Sequence, residues 1–182
     1  MVSNVNDCSV GNCIDLLIQQ NVDWTDFFNR SWAEFKVGFN DTRGNFWLGN
    51  DLLNQLTLTG RYKLKFDLQS RANLSNLYFA HYITFLVSNE TTNYRLQVAG
   101  YSGNAYYDAF GYHNGMMFTT YDRDNDQRLP GNCAAWAGGG FWYKSCYYCG
   151  VNTLHGYTNN NGWTGLPGGM QLQSSRMWLQ CK

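Results

Sequence analysis

Neither sign of charge predominates in this 182-residue chain: 13 Lys and Arg face 13 Asp and Glu, and charged residues make up only 14%. That balance argues against nucleic acid and anionic membrane as partners, because both select a basic excess. No run approaches the roughly 20 apolar residues of a membrane-spanning helix. The first 21 residues lack the basic flank and long apolar run of a signal peptide, which suggests a domain cut from a secreted parent or a chain without its leader. Proline is scarce, at two residues, and no internal repeat or low-complexity segment stands out. A chain of this length suffices for one substantial core, burying roughly 70% of its unfolded surface. The reading is therefore one domain.

Aromatic residues, by contrast, reach 17%, and there are 19 glycines and six cysteines. Six cysteines fit three disulfides whose pairing the sequence leaves open. Four glycosylation sequons begin at Asn29, Asn40, Asn73 and Asn89. Together with the cysteines they point to a secreted glycoprotein. Neither a nucleophile elbow nor a Cys–His arrangement supports catalysis, so the chain reads as a non-enzyme. His81, in an apolar strand, reads as a core residue.

Periodicity organises the first hundred residues. Residues 8 to 23 read as weakly helical, with Ile14, Leu16, Leu17 and Ile18 clustered. Asn45 to Leu48 reads as a short strand. Asn50 resembles an N-cap for a helix carrying Leu52, Leu53 and Leu56, which Gly60 ends. Tyr62, Leu64, Phe66 and Leu68 alternate with Lys63, Lys65, Asp67 and Gln69, as a half-buried strand should. Tyr78 to Val87 is apolar on both faces, and Tyr94, Leu96 and Val98 alternate again. Short connections favour antiparallel neighbours. From Gly100 to Gly169 the periodicity disappears, and Gly, Asn, Asp and aromatics dominate. A long irregular stretch of this kind signals a functional, cross-linked region. Met170 to Leu179 returns as a final strand.

The acidic run Asp122, Asp124 and Asp126 carries the clearest chemistry. Carboxylates at alternate positions repel unless a cation lies among them, and hard oxygen donors select calcium. Gln127 and Cys133 stand where an EF-hand needs Gly and Glu, so a different loop must complete the site with backbone carbonyls and water. Trp136, Tyr147, Tyr148 and Trp163 lie where no regular element buries them and read as ligand contacts. Trp142 and Tyr143 read as core.

Several blocks in order resemble the fibrinogen C-terminal family: Ser31 to Phe39, Asn45 to Asn50, Leu56-Thr57, Gly100 to Gly103, Tyr112 to Met116, Phe118-Thr119-Thr120, Asp122 to Asp126, Asn132-Cys133-Ala134 and Trp142-Tyr143. The resemblance covers roughly residues 23 to 146, and the family includes ficolins, tachylectins, angiopoietins and fibrinogen chains. It implies an α+β fold with a central twisted antiparallel sheet, short helices and a loop-rich calcium-binding subdomain. The implied layout is an abbreviated segment 1–30, a sheet over about 31–100 plus 170–182, and the loop subdomain over about 101–169.

The resemblance also implies calcium as cofactor, held by the side chains of Asp124 and Asp126 and the carbonyls of Arg128 and Pro130. It pairs Cys133 with Cys146, which would close a small loop beside the acidic turn. Cys8, Cys13, Cys149 and Cys181 remain, with Cys149–Cys181 and Cys8–Cys13 preferred, or with Cys8 or Cys13 linked to a second copy. Sugar-binding members hold an acetyl group in an aromatic pocket beside a cis peptide that would here join Ser145 to Cys146. Ala137 stands where a Tyr is common, and Tyr147 where a His is common. The implied function is a secreted, calcium-dependent, lectin-like domain that binds glycans or acetylated groups in innate pattern recognition. The alternative is a protein-binding module acting as receptor ligand, matrix or clot component.

Overall fold

The computed structural model describes residues 14–154, 162–166 and 171–182. Its frame is a seven-stranded antiparallel sheet in the order β2-β3-β1-β7-β4-β5-β6. The strands are β1 (Leu16–Asn21), β2 (Phe39–Asn40), β3 (Phe46–Trp47), β4 (Tyr62–Ser70), β5 (Leu77–Val87), β6 (Leu96–Gly103) and β7 (Leu172–Cys181). Among the described residues three short α-helices accompany them: α1 (Trp32–Val37), α2 (Asn50–Thr57) and α3 (Cys133–Ala137). This is the α+β arrangement that the family resemblance implies, and the antiparallel pairing is the one the short connections favour.

The segment read as weakly helical is instead β1, wedged between β3 and β7. Pairing on both sides satisfies its backbone groups and buries Ile18, and that gain overrides a weak local preference. The cap of α2 also differs. Gly49 (φ +107) is the N-cap, whereas Asn50 is buried in the first turn and accepts a hydrogen bond from the Trp47 indole at 3.1 Å. Leu53 and Leu56 face the core, while Leu52 is exposed. Apolar periodicity does not reveal α1, which its cap defines instead. Ser31 and Glu34 form a capping box at its start, each satisfying the other's backbone N–H.

One face of the sheet carries the core. Leu64, Phe66 and Leu68 of β4, Tyr78, Ala80 and Tyr82 of β5, and Met177 and Leu179 of β7 are buried there. On the other face β5 presents Phe79, His81 and Ile83, so this strand is not apolar-covered on both sides. His81 is half-buried there rather than in the core. Aromatic rings from the irregular region sit on the buried face. Phe110 and Trp163 each approach Phe66, at 5.0 and 5.1 Å between ring centres, and Trp142 meets Phe118 at 5.1 Å. Trp142 and Tyr143 are fully buried. The loops thus stand on an aromatic floor that the sheet provides.

Candidate functional site

The acidic loop begins where Thr119 pairs with Phe141 and Thr120 turns back on Arg123. Its three aspartates take different roles. Asp122 accepts from the backbone N–H of Trp32 at 2.9 Å and from the Thr120 hydroxyl at 2.7 Å. It therefore supplies a negative group to the start of α1 and does not join the other two carboxylates. Arg123 stacks 4.0 Å from the Trp32 ring centre and donates to the Asn93 side chain at 2.6 Å, fixing the loop's outer edge.

Asp124 and Asp126 remain. The Asp126 N–H donates to Asp124 Oδ1 at 3.2 Å. The Asp126 carboxylate in turn accepts from Arg128 N–H at 2.8 Å and from Cys133 N–H at 2.7 Å. Burial pushes the Asp126 carboxyl up from its ordinary value; the two backbone N–H groups oppose this, and the neighbouring Asp124 adds to it. A carboxylate held in that state gains from a nearby cation. The carbonyls of Arg128 and Pro130 accept no hydrogen bond among the described residues. Two carboxylates and two free carbonyls offer hard oxygen donors only, which suits calcium or magnesium rather than zinc. Among the described residues no group of three or more His, Cys, Asp or Glu side chains forms a metal cluster.

The next segment is tied directly to this loop. Cys133 opens α3, capped by the Asn132 side chain, and is disulfide-bonded to Cys146. Gln127 N–H donates to the Lys144 carbonyl at 2.8 Å, and the Arg128 guanidinium reaches the Cys146 sulfur at 3.3 Å while lying 5.1 Å from the Trp136 ring. Between α3 and Phe141 the chain passes so close to its neighbours that side chains do not fit. A Cβ on Gly139 would lie 1.9 Å from the Asn152 carbonyl, and one on Gly140 2.5 Å from the Phe35 ring.

The aromatic candidates separate by burial. Trp136 is 42% exposed and Tyr148 43% exposed. Tyr148 stacks on Tyr112 with 4.2 Å between ring centres, Tyr107 lies 6.2 Å from Tyr148, and the Lys144 ammonium sits 5.1 Å from the Tyr112 ring. Tyr147 is half-buried between Tyr143 and Trp136. Ser145 is exposed. Two expected ligand contacts are corrected. Trp163 is fully buried against Phe66 and its indole donates to the Tyr107 carbonyl at 2.9 Å, so it is a core residue. Ala137 is buried in α3. Tyr107 and Tyr112 escape a reading of the sequence because Tyr107 stands in a loop and Tyr112 in a single 3-10 turn (Phe110–His113), both too short for periodicity to mark an exposed face.

Backbone and cysteine expectations are also revised. The Ser145–Cys146 peptide is trans; among the described residues the cis bond is Leu129–Pro130, and Cys146 has φ +64. Cys149 is a free, buried thiol rather than the partner of Cys181, and burial pushes it well above its ordinary pKa. It lies opposite Trp163 in a short bridge, inside the floor of the loop region. Cys181 is disulfide-bonded elsewhere. The Cys8–Cys13 pairing lies outside the described residues.

His113 locks this floor. Its Nδ1 lies 2.7 Å from the Trp142 carbonyl, while Nε2 faces the backbone N–H groups of Cys149 at 3.2 Å and Tyr148 at 3.4 Å. Two N–H donors aimed at Nε2 leave the proton on Nδ1, so the ring is neutral. Burial lowers its pKa to about 4.

Residues 7–179 match the profile of the C-terminal globular domain of fibrinogen beta and gamma chains. Mouse tenascin is 42% identical over 134 residues, covering 74% of this chain and 6% of tenascin. Human ficolin-3 is 39% identical over 137 residues, covering 75% of this chain and 45% of ficolin-3. The chain thus spans less than half the length of either relative. The solved fibrinogen-like globe domain of human ANGPTL2 superimposes with a TM-score of 0.81 at 34% identity, covering 92% of this chain and 80% of that one.

Proposed function

The chain belongs to the fibrinogen C-terminal globular domain family, whose members are non-enzymatic binding modules, and from that premise we propose that it is an extracellular, calcium-dependent recognition domain. In this reading the loops between Trp136 and Tyr148 bind glycans or acetylated groups, as a lectin-like module of innate defence does. One observation carries it: the Asp126 carboxylate holds the N–H of Cys133, the disulfide residue from which the exposed aromatic segment departs. Calcium bound by Asp124, Asp126 and the carbonyls of Arg128 and Pro130 would neutralise the paired carboxylates and fix that segment. Trp136 and the Tyr112–Tyr148 stack offer flat faces suited to sugar rings. A glycan array probed in calcium and in EDTA tests the proposal. Calcium-dependent signal is expected, and absence of binding to every sugar under both conditions removes the glycan reading.

A second reading is a protein-binding module. It is favoured by the residues at the family's acetyl pocket: Ala137 is buried, and Tyr147 packs against Tyr143 where a His is common. Capture of a cell-surface protein that still binds after deglycosylation is the outcome that selects it.

A further inference from the structure

We propose that Asn73 carries an N-linked glycan that covers an apolar strip on the open side of the β4–β5 hairpin. The inference rests on the extracellular reading, because the modification takes place in the secretory pathway. Asn73-Leu74-Ser75 satisfies the acceptor pattern. It sits at the tip of the connection between β4 and β5, where every residue from Arg71 to Leu77 is exposed. The loop is a built turn. Asn73 Oδ1 accepts from Ser75 N–H at 3.0 Å, the Asn73 carbonyl accepts from Asn76 N–H at 3.1 Å, and Gln69 Nε2 donates to the Leu74 carbonyl at 2.8 Å. These bonds engage the oxygens and leave the Asn73 amide nitrogen without a partner among the described residues.

The surroundings supply the reason for a glycan here. Leu74 is 57% exposed, Leu77 67% and Phe79 37%. Leu77 and Phe79 share the open face of β5, opposite Gln69 and Asp67 of β4. Clustered exposed apolar side chains on a hairpin attract other chains unless something covers them. The other three sequons sit in more engaged surroundings. The hydroxyl of Ser31, which completes the Asn29 acceptor, is inside the α1 capping box. Asn40 lies in β2 beside Asp41, whose carboxylate already accepts from Arg43 and Asn45. Asn89 Oδ1 takes the Thr91 hydroxyl, and its neighbour Glu90 holds Lys36 and the Trp32 indole.

In the transfer, the Asn73 amide nitrogen bonds to the anomeric carbon of a lipid-pyrophosphate-linked oligosaccharide. The anomeric C–O bond breaks, the lipid pyrophosphate leaves with the electron pair, and one amide proton passes to solvent. The test translates the protein, behind an added leader peptide, with endoplasmic-reticulum microsomes, and maps glycopeptides from the protease-protected lumenal fraction. The Asn73 peptide is expected to carry hexosamine-containing mass, absent in S75A. Ser75→Ala leaves the Asn73 turn intact, since Ser75 contributes there through its backbone. Unglycosylated S75A is expected to bind several-fold more hydrophobic dye and to aggregate faster, with an unchanged melting temperature. An unmodified Asn73 in the lumenal fraction overturns the site, and equal dye binding by the two proteins overturns the covering role. A protein modified at Asn73 in this assay but never exported by cells overturns the extracellular reading instead.

Discussion

The backbone N–H of Cys133 donates to Asp126 Oδ2 at 2.7 Å, across seven residues of sequence. This single bond joins the acidic loop to the disulfide-closed aromatic segment. It makes the position of Trp136 depend on the state of a carboxylate whose charge burial disfavours.

If calcium occupies that loop, it binds the folded protein alone and stabilises it by mass action, by about 2.7 kcal/mol at one hundred times its Kd. Differential scanning fluorimetry is expected to show a higher Tm in calcium than in EDTA for the wild type. Asp124→Asn should abolish the increment while leaving the EDTA Tm nearly unchanged, because the Asp126 N–H still finds an amide oxygen at position 124. Equal melting in both buffers, with no heat of uptake by titration calorimetry, sinks the calcium reading.

Cys133 and Cys146 are 13 residues apart, and closing a loop of that size stabilises by about 3 kcal/mol in the chain-entropy model. The double substitution to Ser is expected to lower the unfolding free energy by roughly that amount in urea titrations. It should also weaken ligand binding more than the stability change alone accounts for, since the carbonyl of Lys144 loses its fixed position.

Trp163 and Tyr148 are equal candidates for ligand contact in the sequence, and burial separates them. Trp163→Ala opens the floor beneath the loops and should cost about 3–5 kcal/mol. Tyr148→Ala removes one half of an exposed stack and should cost about 1 kcal/mol or less. Binding by the folded Tyr148→Ala protein should fall while its Tm barely moves. A Trp163→Ala protein as stable as wild type contradicts the burial argument.

His113 makes the floor sensitive to acid. Its folded pKa of about 4 lies below the ordinary 6.5, so the fold prefers the neutral ring. Its contribution is complete above pH 6.5 and is lost as pH falls from 6.5 towards 4. The gap amounts to roughly 3 kcal/mol. Wild-type Tm should therefore fall through that window. His113→Gln, which cannot titrate, should start lower at pH 7 and fall less; parallel slopes rule out this assignment.

The sequence by itself determined what depends on neighbouring residues. The alternation from Tyr62 to Leu68 set the faces of β4, and the ordered blocks from Ser31 to Tyr143 set the family. The tertiary structure decided whatever required distant partners. Residues 16–21 became a strand because β3 and β7 flank them. Asp122 left its acidic neighbours because α1 presented an unpaired N–H. Trp163 sank because Phe66 and the Tyr107 carbonyl met it. Cys149 stayed unpaired, buried beside His113 and Trp163, while its expected partner Cys181 bonded elsewhere. In irregular structure no repeat marks which side chains face inward, so there only the long-range contacts choose.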